Sequence, residues 1–182
     1  LTMAINMAYN VVVARFLGPK GFGQAVVVYT ILTLLWAVTL AFQITSTKLV
    51  ARQSSVEGKS AVYRYFNIRS WAVSIMIALA LMLFDRQISG YLNLSDLSLV
   101  PLIAVGAAFY IPLGTRRGYH QGSLGFRALA SNMILEQVIR LGGALTLILM
   151  GRGVRGVIIV NSVALVCVYF AMPVKIRGHV GA

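Results

Sequence analysis

Between Phe22 and Thr47 the chain carries no charged residue. A run of that length exceeds the ~20 apolar residues that a helix needs to cross a bilayer. In hydrocarbon every backbone N–H and C=O must be paired within its own segment, so the run is predicted to be a spanning α-helix. The rest of the sequence repeats the pattern, with long apolar stretches separated by short basic ones. Hydrophobic residues make up 59% of the chain and charged residues 11%, against roughly one quarter charged in a soluble domain. Such a chain cannot cover itself with polar side chains, and the lipid bilayer is its first expected partner. The predicted fold is all-α, a multi-pass transmembrane bundle of about six helices, with spans near 1–17, 22–47, 67–84, 99–115, 128–150 and 157–173.

The connections refine this reading. Gly18-Pro19-Lys20-Gly21-Phe22-Gly23 is predicted to be a tight turn between two antiparallel helices, because proline fixes φ and glycine permits positive φ. Lys48 to Arg69 reads as the most basic connection, Asp85 to Ser98 as a loop on the opposite face, Arg116 to Gly122 as a turn, and Gly151 to Gly156 as another. Pro101 is tolerated near a helix start, whereas Pro112 is expected to kink or stop its helix. The first run is short and opens on Leu1 without a basic n-region, which reads as a helix cut at its start.

A net charge of +12 would suggest nucleic acid in a soluble protein. Here the cations lie between the apolar runs, where retained basic charge orients helices in the membrane, so nucleic acid is not an expected partner. Lys48, Arg52, Lys59, Arg64, Arg69, Arg116, Arg117, Arg127, Lys175 and Arg177 fall on one side. Arg15, Lys20, Arg86, Arg152 and Arg155 fall on the other. The richer side is expected to be cytoplasmic, with the N-terminus inside.

Cys167 is the one cysteine, so an internal disulfide or a cysteine-based metal cluster is excluded. His120 and His179 lack companions at metal-ligand spacing. Neither a Walker-type phosphate loop nor a paired-carboxylate arrangement is present. No cofactor, metal or catalytic residue is expected.

Two motifs carry a family resemblance. Ala14-Arg15-Phe16-Leu17-Gly18-Pro19-Lys20-Gly21-Phe22-Gly23-Gln24 resembles the turn after the first helix of polysaccharide-biosynthesis flippases in the multidrug/oligosaccharidyl-lipid/polysaccharide exporter superfamily. The chain departs from that pattern at Lys20, often acidic in the family, and at Gln24, commonly small or aromatic. Gly118-Tyr119-His120-Gln121-Gly122, Phe126-Arg127, Glu136 and Arg140 are similar to the family's short fourth-to-fifth connection and fifth helix. The resemblance implies one half of a two-bundle, MATE-like transporter with about twice as many helices. It further implies translocation of an isoprenoid-pyrophosphate-linked oligosaccharide across the bacterial plasma membrane, for surface polysaccharide such as O-antigen or exopolysaccharide. Coupling to a H+ or Na+ gradient and contact with envelope polysaccharide assembly proteins are candidate additions.

That substrate needs a sheltered cationic cavity, and an arginine fork can hold pyrophosphate oxygens while staying charged when desolvated. Arg140 is the leading candidate, because an ionisable residue inside a span usually faces the bundle interior or water. Glu136, four residues earlier on the same face, can instead neutralise it as a structural pair. Arg15, Arg116 and Arg117 stand at helix ends, where they can contact substrate or snorkel to lipid headgroups. Asn10, Gln43, Asn132 and Gln137 can bond sugar hydroxyls, although interhelical hydrogen bonding is their commoner use. Two rivals remain. One is a drug/cation antiporter of the same superfamily using Glu136 for ion coupling, and the other is a membrane enzyme of envelope glycan assembly, which would need a longer polar loop than these.

Overall fold

The computed structural model describes residues 2–92 and 98–174. These form α1 (Thr2–Ala51), α2 (Val56–Leu83), α3 (Asp85–Tyr91), α4 (Leu99–Gly122), α5 (Phe126–Leu149) and α6 (Gly153–Phe170), with no strand among the described residues.

α1 is helical along its length except at Gly18, whose φ of 67° and ψ of 178° belong to a region that only glycine occupies comfortably. Pro19 follows, with its φ already set for starting a helix. The result is a hairpin. The rings of Tyr9 and Tyr29 meet edge to face with centroids 6.1 Å apart, whereas a straight helix would separate them by about 30 Å. Val13 and Leu17 of the first arm pack with Ala25 and Phe22 of the second. The turn foreseen at Gly18-Pro19 is therefore present and sharper than a loop.

Elsewhere the helices outrun the apolar stretches. Ser55 caps α2 by accepting the Gly58 N–H at 3.0 Å, and Glu57 complements the positive helix start. α1 and α2 therefore continue through most of the basic Lys48–Arg69 segment, and only 52–55 separates them. The bilayer selects for apolar side chains, but helicity does not stop at its surface. Part of the expected 85–98 loop is the short helix α3, and Asp96 lies outside the described residues. The expected turn over Arg116 to Gly122 is instead the last two turns of α4, which also runs through Pro112.

The reason lies in how α4 meets its neighbours. A Cβ added to Gly114, Gly118 or Gly122 would fall 2.5 Å from Thr39 Cγ2, 2.5 Å from the Gln43 carbonyl oxygen and 2.6 Å from that of Thr47. Glycines spaced by four thus seat α4 directly on the backbone of α1, the close approach that drives helix association in lipid. That contact holds α4 together past Pro112, whose missing N–H would end an isolated helix. Hydroxyls reinforce the joint, since Ser46 donates to the Thr115 carbonyl at 3.4 Å and Thr47 to that of Gly118 at 3.3 Å. On its other faces α4 takes Ser74 of α2, which donates to the Ala107 carbonyl at 2.8 Å, and Ser162 of α6, which donates to that of Leu102 at 2.7 Å.

α4 is therefore the central helix, with Leu99, Val100, Ile103, Ile111 and Leu113 fully enclosed. The perimeter is apolar as well, as Ile68, Ile75, Met76, Leu79 and Met82 of α2 show by pointing outward. An apolar outer face around a tightly packed interior is what a lipid solvent requires. Among the described residues five helices are long and apolar enough to cross a membrane, namely Gly21–Ala51, Val56–Leu83, Leu99–Gly122, Phe126–Leu149 and Gly153–Phe170. The first arm of α1, described from Thr2, is shorter than that. The protein is an all-α, multi-pass membrane bundle. Lys175, Arg177 and His179 lie outside the described residues.

Candidate functional site

Asn132, Glu136 and Arg140 follow one another at spacings of four, so they share one face of α5. That face turns inward. Glu136 is 6% exposed and meets two cations, with one carboxylate oxygen 2.6 Å from Arg117 of α4 and the other 3.3 Å from Arg140. Arg117 also donates twice to Asn132 Oδ1, at 2.9 and 2.8 Å, and Asn132 passes its own amide hydrogen to the Val168 carbonyl at 2.7 Å. Arg140 Nε donates to Asn161 Oδ1 at 2.5 Å. Asn161 Nδ2 donates to the Tyr9 hydroxyl at 3.0 Å, and the Tyr9 and Tyr29 hydroxyls are themselves hydrogen-bonded.

One polar chain therefore ties α4, α5, α6 and both arms of α1 together in the middle of an apolar bundle. It holds two guanidinium groups and one carboxylate, leaving one positive charge in excess. Largely buried, that excess is screened less than a surface charge would be.

The cluster adjoins a cavity. Arg140 borders a cavity of about 300 Å³ between the arms of α1 and the bundle. Asn6, Tyr9 and Asn10 line it from the first arm, Tyr29, Thr33 and Trp36 from the second, and Tyr110 from α4. Glu136 and Asn161 occupy Nη1 and Nε of Arg140, and its remaining guanidinium N–H groups have no partner among the described residues. The ring of Tyr9 lies 5.8 Å from the guanidinium carbon and adds a cation–π contact.

The sequence-derived candidates separate accordingly. Arg117, Glu136 and Arg140 come together, and Arg140 alone of the five reaches the cavity wall. Arg116, although adjacent to Arg117, turns to the end of α6. It donates to the carbonyls of Tyr169 at 2.5 Å and Met172 at 3.2 Å, bonds the Tyr63 hydroxyl at 3.1 Å and stacks on the Tyr169 ring at 3.6 Å. A cation there satisfies carbonyls at the negative end of a helix, which is a joining role. Arg15 is exposed on the first arm and makes no ion pair among the described residues. Gln43 bonds Gln121 at 3.1 Å and Asn132 bonds α6, the interhelical use expected of such residues.

Asn161, Tyr9 and Tyr29 were not singled out by sequence reasoning. An asparagine in the sixth apolar run carried a signal, since an amide in hydrocarbon requires partners, but nothing in the sequence links it to Arg140.

Comparisons with known proteins agree with this architecture. The family described as "Polysaccharide biosynthesis protein" matches residues 1–178. "Stage V sporulation protein B" of Bacillus subtilis (strain 168) is 26% identical over 202 aligned positions, which cover 98% of this chain and 38% of that protein. The chain thus spans about two fifths of the length of that curated relative. No solved structure matches. With its membrane bundle matched almost end to end, the chain belongs to the polysaccharide biosynthesis protein family.

Proposed function

We propose that the chain forms one bundle of a two-bundle transporter that flips an isoprenoid-pyrophosphate-linked oligosaccharide across the bacterial plasma membrane by alternating access. The observation that carries the reading is the position of Arg140, which borders an intramembrane cavity while Glu136 and Asn161 hold its guanidinium from one side. A pyrophosphate head would meet the free donors of a fixed, permanently charged fork. The apolar tail would stay in lipid. Rocking of this bundle against its partner would then open the cavity to one face at a time. The cation-rich ends of α1, α2 and α4 would lie in the cytoplasm, with the N-terminus inside.

Cation antiport fits this site less well. Both carboxylate oxygens of Glu136 already face arginines, and a cationic substrate would be repelled by the excess charge.

The test is genetic. A strain that lacks its surface-polysaccharide flippase receives the natural full-length gene that encodes this chain, as wild type or as Arg140→Ala. The change leaves Glu136 paired with Arg117, so membrane abundance is expected to hold. Surface polysaccharide is expected to return with wild type and to fall at least about tenfold in the variant, as the loss of one charge-assisted, desolvated contact implies. Full activity of a well-expressed Arg140→Ala would refute the site. Lowered drug accumulation with no polysaccharide restored, across strains with different sugar repeats, would favour antiport.

A further inference from the structure

Trp36 is the sixteenth residue of the Gly21–Ala51 helix and so stands at its midpoint. In membrane proteins tryptophan concentrates at the two interfaces, where its ring sits in lipid and its N–H reaches water or headgroups. A mid-helix tryptophan has no headgroup within reach, so its N–H can turn only to the protein or into a cavity. Trp71 resolves the same difficulty by donating its indole N–H to the Tyr169 hydroxyl at 3.1 Å. The N–H of Trp36 has no hydrogen-bond partner among the described residues, and the residue, 51% exposed, lines the cavity.

Across the cavity stand two asparagines at the same spacing of four. Asn10 gives one amide hydrogen to the Asn6 carbonyl at 2.9 Å, which leaves its Oδ1 open, and the side-chain amide of Asn6 has no partner among the described residues. The wall thus offers an aromatic face, a free indole donor and two amides beside the Arg140 cation.

From this set we propose that the cavity contains a sugar subsite, with Trp36 as the stacking platform and Asn6 and Asn10 as hydroxyl partners, next to the anion position at Arg140. The positively polarised C–H groups of a pyranose face suit the negative face of an indole. Its equatorial hydroxyls, at the ring edge, suit amides that can both donate and accept. The volume of about 300 Å³ is at the lower end of the range for small-ligand sites, roughly 300–1,000 Å³. It accommodates the first sugar of the head and not a whole repeat. The subsite rests on the transport reading above and adds to it the part of the substrate that each wall holds.

Binding to the purified full-length protein in lipid nanodiscs separates the two ideas. The probes are farnesyl pyrophosphate and the same compound carrying glucose, galactose or N-acetylglucosamine. In wild type at least one sugar is expected to tighten binding by roughly five- to tenfold, the scale of one aromatic contact. Trp36→Ala should erase that gain while leaving affinity for farnesyl pyrophosphate unchanged, and Trp36→Phe should keep part of it. The subsite is overturned if no sugar adds affinity, or if Trp36→Ala weakens the sugar-free probe equally. Unchanged binding of farnesyl pyrophosphate to Arg140→Ala would instead remove the transport reading on which the subsite rests.

Discussion

Glu136→Ala is expected to empty the membrane of most folded protein. Glu136 is the shared counter-charge of Arg117 and Arg140, and its removal leaves two enclosed guanidinium groups facing each other with no carboxylate between them. Stripping one partner from a buried ion pair typically costs about 3–5 kcal/mol. Here two cations are orphaned by one change, and Arg117, the more enclosed of the two, does not line the cavity. Membrane abundance and thermal unfolding in detergent provide the measurement. A second substitution tells electrostatics from packing, because Glu136→Gln combined with Arg117→Gln removes one charge of each sign and should recover much of the loss. Wild-type stability of the single Glu136→Ala variant would mean that the arginines find other partners and that the network is not the keystone of the bundle.

The second large effect is steric. Gly118→Val places a branched side chain where a bare Cβ would already lie 2.5 Å from the Gln43 carbonyl oxygen and 2.9 Å from Ser46 Cβ. Both obstacles belong to α1 at or next to its backbone, so no rotamer change relieves the clash and the helices must move apart. Overpacking a rigid interior costs about 1–3 kcal/mol and occasionally more. The upper end is expected here because separation also stretches the hydroxyl bonds from Ser46 and Thr47 to α4. Gly142 is the control, since a Cβ there meets open space. Gly142→Ala should be neutral or slightly stabilising through helix propensity, by up to ~1 kcal/mol. Equal thermal stability of the two variants would argue against the close α1–α4 contact.

Much of the architecture was legible because the bilayer imposes one dominant rule. Uncharged runs had to be helices, and Gly18-Pro19 had to be a break, since the chain needed both a glycine-only conformation and a helix start within two residues. The limits of the helices were less legible. Hydropathy marks where the hydrocarbon ends, whereas α2 begins at its own cap, Ser55, well outside the apolar run. Gly118 and Gly122 read as part of a turn because they follow Arg116 and Arg117 at the end of the fourth apolar run. In lipid the same residues are contact points, and only the backbone of α1 opposite them reveals the difference.

The site divides along the same line. The Glu136–Arg140 pair follows from helical periodicity, which acts over one turn. Arg117 lies on another helix, and its capture of Glu136 depends on how α4 and α5 face each other. The adjacent Arg116 shows how little charge alone reveals, since one step around the helix sends it to the end of α6. Trp36 stood in an apolar run as one more hydrophobic residue until the fold placed it on a cavity wall.

Cysteine labelling decides whether a wet, anion-holding cavity lies inside this bundle. In a full-length background freed of every native cysteine, Cys167→Ser included, Thr33→Cys would place a thiol on the cavity wall and Val163→Cys one on an apolar groove between α4 and α6. A membrane-impermeant maleimide is expected to label position 33 and not position 163. Farnesyl pyrophosphate should slow labelling at 33, and Arg140→Ala should abolish that protection. Equal inertness of the two positions, or protection that survives the loss of Arg140, would contradict the account.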